Sequence, residues 1–368
     1  MQRGMSLLDD LGIVLGQVAP ALIPEEARPR IMRFAARVPS MDGGFEVRLH
    51  DSPAPIDIST CATAAVPSDL RILAGVEPGH ALPPVLADHP AWRQAAALAR
   101  DVLARGGGEQ PANEVLWMEF DDPVLDDEAP AACLMLQRDT GGDLDLAADA
   151  LASHRLLRKE DPPPGTMAAL AALRAAMPAG VSLPNLGVMT GRPGLPVRLR
   201  LHGWPPEKLA AKLGTIWGDA TAQRLRAAAA LLESLDPVPP VTLDIHPDRA
   251  PKIGLPMPCW IGPGASAAAL AGFEAMLSLL VDAGLCQPAK ADGLRAWPGW
   301  VHDARPATGL PHRRQTADAT PVLARTLVQF KLGFEADGTL CAKAYFGILR
   351  RCVPTPGGGG TRQHTGRH

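Results

Sequence analysis

Pairs of short alternating segments, repeated five times between alanine-rich stretches, constrain this 368-residue chain more than any other feature. Strict period-two alternation marks a strand with one buried face. It occurs at Phe45–His50 with Ile56–Thr60, Val115–Phe120 with Ala132–Arg138, and Leu186–Thr190 with Pro196–Trp204. It recurs at Val241–His246 with Lys252–Met257 and at Leu327–Phe334 with Leu340–Leu349. Turn chemistry joins the later pairs: Gly191–Arg192–Pro193–Gly194, Pro247–Asp248–Arg249 and Asp337–Gly338. The second pair carries a longer acidic loop, Asp121–Pro130, and Pro53 and Pro55 crowd the first turn.

The stretches between the hairpins have helical period. They cover Ala91–Arg105, Leu146–Arg158, Thr166–Met177, Pro206–Ile216, Ala220–Leu235 and Ala265–Ala283. Pro205 and Pro206 open one of them where a missing N–H costs little, and Gly284 closes the last. Ten consecutive antiparallel strands must leave open edges or close on themselves, and helices between every pair favour closure. The expected fold is α/β: a ten-stranded antiparallel β-barrel of five αββα units with the helices outside. It forms a single domain over 1–352, and residues 353–368, with four consecutive glycines, make a disordered tail.

Several function classes drop out. A formal charge of −3 without a basic block leaves nothing to hold nucleic acid. No run of about 18 apolar residues is present to span a membrane, and Asp9 and Asp10 interrupt the only apolar N-terminal stretch. Six scattered cysteines without zinc spacing read as reduced thiols of a cytoplasmic protein. No P-loop, Gly-x-Ser-x-Gly or His-Glu-x-x-His occurs.

Alternation also assigns faces. Phe45, Val47 and Leu49 oppose Glu46, Arg48 and His50; Val197, Leu199 and Leu201 oppose Arg198, Arg200 and His202. Val241, Leu243 and Ile245 oppose Thr242, Asp244 and His246, and Ile253, Leu255 and Met257 oppose Lys252 and Gly254. Val328, Phe330 and Leu332 oppose Gln329 and Lys331; Ala344, Phe346 and Ile348 oppose Lys343, Tyr345 and Gly347. Trp117 shares a face with Glu119. An ordinary half-buried sheet would turn this polar face to solvent. A closed barrel would gather six cations (Arg48, Arg198, Arg200, Lys252, Lys331, Lys343) against Glu46, Glu119 and Asp244. Unpaired buried cations cost roughly several kcal/mol each, so a closed lumen calls for an anion, and a diphosphate suits Arg forks and Lys point charges.

Two segments, Asp248-Arg-Ala-Pro-Lys-Ile-Gly-Leu and Ala342-Lys-Ala-Tyr-Phe, resemble the Arg-x-Lys-x-Tyr and Lys-x-Tyr strands of the ABBA-type aromatic and peptide prenyltransferases. That resemblance covers roughly residues 1–350 in architecture, the αββα-repeat or PT barrel. It implies transfer of an isoprenoid from an allylic diphosphate, dimethylallyl or geranyl, to an aromatic or peptide side chain. Lys252 and Lys343 would grip the diphosphate with Arg48, Arg198, Arg200 and Lys331, Tyr345 would shield the allyl cation, and Glu46 would orient or deprotonate the acceptor. Trp117, Glu119, Met189, His202, Asp244 and His246 would line the acceptor and prenyl pocket. No cofactor is certain, and magnesium is left open. The sequence departs from the family where it has glycine at 254, Arg200-x-His202 in the third unit, and a single tyrosine in the whole chain.

Other motifs read as structure. Asp121-Asp-Pro-Val-Leu-Asp-Asp resembles a magnesium-binding aspartate motif, but Pro123 fits badly inside a helix, so a solvated acidic loop is expected. Trp297-Pro-Gly-Trp300 reads as a loop packed on the barrel or a lid. His50, His202 and His246 are acid–base groups or ligands only if they converge. The rival to an enzyme is a non-catalytic barrel that binds a peptide or anionic ligand as an accessory to a natural-product pathway.

Overall fold

A computed structural model describes residues 7–354 except 40, 52–54, 64–66, 78–81, 106–114, 129–132, 138–154, 156–160, 190–195, 234–238, 303–318 and 336. The predicted helix Leu146–Arg158, Arg155 apart, and the Gly191–Gly194 turn lie outside the described residues, as do residues 355–368 of the predicted tail.

The chain is mixed α/β around one strongly curled antiparallel sheet. Its strands are β1 (Asp42–Arg48), β2 (Ile56–Thr63), β3 (Val115–Phe120), β4 (Cys133–Gln137), β5 (Ser182–Val188), β6 (Val197–His202), β7 (Val241–Ile245), β8 (Lys252–Ile261), β9 (Gly299–His302), β10 (Ala319–Phe334) and β11 (Leu340–Pro354). The hydrogen-bonded order is β4-β3-β2-β1-β11-β10-β8-β7-β6-β5, with β9 added on β10. Hairpin partners are neighbours, and β11 pairs with β1, so the last strands dock onto the first. The two ends of this path, β4 and β5, come within 8 Å of each other. β11 runs through Val353 and Pro354, two residues into the predicted tail, because both pair with the start of β10.

Helices cover Pro90–Arg105, Pro164–Ala176, Pro206–Trp217, Asp219–Leu231 and Ala267–Asp282, among others. Their ends follow local rules. Pro206 occupies the first turn after Pro205. Ser266 Oγ accepts the Ala269 N–H at 3.2 Å. Gly284, at φ 70°, reverses the chain after Asp282.

The apolar strand face packs against these helices, each fully buried large side chain contributing about 1.5–3 kcal/mol. Phe120 of β3 meets Phe34 edge-on at 4.8 Å and stacks on Trp92 at 6.0 Å. Phe330 of β10 stacks on Phe273 at 6.1 Å. With that face spent on the helices, the alternate residues must point to the concave side.

One expected facing is reversed. The ladder slips between Leu327 and Gln329, leaving Val328 without a partner on β11. That bulge turns Val328 from the helices into the cavity. Sequence reasoning also missed β9, which takes Gly299 and Trp300 from the expected loop. Trp297 is buried beside it, its Nε1 donating to the Thr326 carbonyl at 3.1 Å.

Candidate functional site

The curled sheet encloses a cavity of about 450 Å³. Strand register grades its wall. Asp42, Cys61 and Trp117 share one level, Gly44, Ser59 and Glu119 the next, and Glu46, Tyr345 and Gln329 the one beyond, with Val328 and Trp260 at the bulge beside them, Lys331 further along β10, and Arg198 and Arg200 on β6. Glycines stand where strands crowd: a Cβ on Gly44 would strike the Phe346 carbonyl, and one on Gly347 the backbone of Gly43 and Gly44.

Two ion-paired groups organise the charged end. Lys343 Nζ donates to Glu46 Oε1 at 2.5 Å, and Tyr345, opposite Glu46 in register, also hydrogen-bonds its carboxylate. Burial pushes Glu46 up, but the charges of Lys343 and Lys331 and the two hydrogen bonds outweigh it and hold the carboxyl at about 2. Burial, with the charges of Glu46 and Glu119, keeps Tyr345 well above its ordinary value and therefore neutral.

The second group is centred on Arg198. Its Nε and Nη2 reach the two Asp244 oxygens at 2.7 and 3.1 Å, and its Nη1 reaches Glu119 at 2.8 Å. Burial opposes the charge, yet the two carboxylates keep Arg198 firmly protonated.

The lumen is thus not the unbalanced set of cations expected from the strand pattern. Arg198 and Lys343 are neutralised because Glu119, Asp244 and Glu46 lie on neighbouring or facing strands. Arg200 and Lys331 are different: among the described residues neither is in an ion pair. Arg200 Nε is buried without a hydrogen-bond partner, and burial lowers its affinity for a proton. Burial and then the Arg198 charge bring Lys331 down to about 8.

Other predicted residues stand outside the cavity wall. Arg48, at the end of β1, pairs with Glu335 at 3.2 Å and Asp51 at 3.4 Å. Lys252, the first residue of β8, is exposed. Met189 is buried just past β5. His202 and His246 carry lowered pKa values, from burial and then from Arg200 and Arg249 respectively. His50 lies beside Asp51 at 3.0 Å, and Arg249 approaches His246 Nδ1 at 3.2 Å. Among the described residues no group of three or more His, Cys, Asp or Glu is placed to hold a metal. The acidic loop pairs instead with Arg30, whose guanidinium reaches Asp122 at 2.8 Å and Asp126 at 2.7 Å.

Sequence reading missed Asp57 and Trp260. Asp57 lies directly opposite Glu46 across the first hairpin, which hairpin register alone would have signalled. Trp260 lines the cavity with a left-handed backbone, φ 44°, where the β8–β10 register breaks. No local pattern announces that break.

No protein-family model matches the chain, and no curated protein matches it. The fold is similar to that in the crystal structure of AnaPT from Neosartorya fischeri, at 16% identity over 83% of this chain and 77% of that one, with a TM-score of 0.46. The likeness is distant and concerns the backbone arrangement alone. Among the described residues no helix is long and apolar enough to cross a membrane.

Proposed function

We propose that this chain is a prenyltransferase built on a PT barrel of five αββα units, its ten principal strands closing at β4 and β5. It moves an allylic isoprenoid from its diphosphate to an aromatic or peptide side chain. One observation carries the reading: Arg200 and Lys331, two cations without an ion pair among the described residues, face the same cavity as the Glu46–Tyr345 pair and an apolar wall. An arriving diphosphate would relieve both cations, with Arg198 and Lys343 adding charge from behind their carboxylates. As the allylic C–O bond breaks, the electron pair leaves with the diphosphate. The faces of Tyr345 and Trp117 stabilise the cation by about 1–2 kcal/mol each. The acceptor atom then bonds to the allyl carbon and loses its proton to the Glu46 carboxylate.

A second reading has its own support. With Arg198 and Lys343 already neutralised, among the described residues lining the cavity two cations, Arg200 and Lys331, are left for an anion, which also suits a barrel that binds a peptide or anionic ligand without chemistry. Calorimetry with a non-ionising geranyl thiolodiphosphate, with and without magnesium, tests the anion site in wild type, Lys331→Ala and Arg200→Ala. Equal affinity in all three would sink the assignment of the site. Pyrophosphate release from dimethylallyl or geranyl diphosphate with aromatic and peptide acceptors separates enzyme from binder.

A further inference from the structure

The sheet places a second carboxylate against Glu46. Glu46 of β1 and Asp57 of β2 are cross-strand partners, so their side chains leave the same face of the sheet. Their environments differ. Glu46 holds the Lys343 ammonium and a hydrogen bond with Tyr345. Asp57 has no ion pair among the described residues. It accepts one backbone N–H, from Asp122 at 2.8 Å. Asp122 in turn accepts the Ile56 N–H at 3.3 Å, which clamps the start of β2 to the loop after β3. The charged groups around Asp57 are Glu46 on β1, Lys343 on β11, Asp121 beside the loop, and Glu119 on β3 opposite Ser59. Asp57 is half-buried, so water reaches it while Glu46 faces the cavity.

From this juxtaposition we infer that Asp57 is the proton store of the site: it takes over the proton that Glu46 receives from the acceptor and releases it to water. The inference rests on the prenyl-transfer reading. The acceptor's proton passes to the Glu46 carboxylate as the new bond to carbon forms. Glu46, stabilised as an anion by Lys343, hands that proton to Asp57 and is restored. Asp57 then loses it to solvent, and no oxidant or further reactant is needed. The electrostatics agree with the geometry. Burial and then the Glu46 charge raise Asp57 to about 6, whereas Glu46 sits at about 2, so of the two carboxylates Asp57 is the one that takes up a proton first. Asp57 transmits the acceptor's proton through Glu46 and is a positioning residue for it, not a group on the substrate.

Tyr345 is the sole tyrosine of the chain and is hydrogen-bonded to Glu46, so a 13Cζ-tyrosine label gives one resonance beside the pair. The wild-type resonance is expected to titrate with a midpoint near 6. In Asp57→Asn, which keeps an oxygen for the Asp122 N–H, that step disappears. In Glu46→Gln it moves down towards the ordinary carboxylate range, because the neighbouring charge is gone. A wild-type resonance that is flat across about pH 5–8, or an unchanged midpoint in Asp57→Asn, overturns the proton store. In kinetics, kcat of the wild type should fall below about pH 6 as Asp57 fills, and Asp57→Asn should lose that limb and about tenfold in kcat at unchanged pyrophosphate affinity. Turnover whose acid limb persists in Asp57→Asn sinks the relay alone. A wild type that releases no pyrophosphate from any donor sinks prenyl transfer, and the relay with it.

Discussion

The ammonium end of Lys331 fills the space that a Cβ on Gly254 would need. The glycine that breaks the Lys-x-Tyr pattern of β8 is therefore the residue that lets a β10 lysine lie across the charged end of the cavity. Gly254→Ala should displace Lys331 and weaken binding of pyrophosphate by about tenfold, about 1.4 kcal/mol. Titration calorimetry reads this directly, and wild-type affinity in the variant would remove Lys331 from the anion site.

The Glu46–Lys343 pair should behave as a buried ion pair. Lys343→Ala leaves a charged carboxylate in the sheet and is expected to cost about 3–5 kcal/mol in urea unfolding. The double variant Lys343→Met with Glu46→Gln should recover most of that loss. Because Glu46 is depressed from 4.5 to about 2 in the folded state, the pair's contribution is present above about pH 4.5 and lost as pH falls towards 2. Its size is on the order of 2–3 kcal/mol. A single-variant loss that is the same at pH 3 and pH 7 would contradict this.

Asp57 has the opposite sign. Its pKa is raised from 3.8 to about 6 on folding, so the protonated form favours the fold and stability is lost as pH rises from about 4 through 6. Asp57→Asn should therefore raise stability at pH 7.5 by on the order of 1–2 kcal/mol and leave it nearly unchanged at pH 4. Denaturation midpoints at the two pH values decide it.

Trp260 carries a backbone conformation that bulky residues avoid. Trp260→Gly should stabilise the fold by about 1 kcal/mol, while Trp260→Ala, still strained, should not. Both should weaken binding of a geranyl analogue, since 61% of Trp260 is exposed at the cavity rim and its ring is offered to a ligand. A glycine variant no more stable than the alanine variant would show that the backbone strain is absent in solution.

Residues 115–120 show what could be read locally. Leu116, Met118 and Phe120 fall on the buried face and Trp117 and Glu119 on the cavity face, as alternation requires. Helix ends at Pro206 and Gly284 were equally legible, because capping involves only nearby backbone. The exposure of Lys252 at the start of β8 was not legible, because alternation assigns a face but cannot say where along a strand the cavity ends. Val328 was misread because a bulge resets the period.

Alternation of side chains and the backbone demands of turns and caps depend on residues a few positions apart. The sequence by itself therefore determined ten of the strand segments, the longer helices between the hairpins and which strand face meets them. Charge balance depends on partners far apart in the chain. Arg198 meets Glu119 from 79 residues away, and Lys343 meets Glu46 from 297 away, only after β11 has docked on β1. Sheet order and register alone decided which cations were neutralised, which two were left facing the cavity, and that Asp57 would stand beside Glu46.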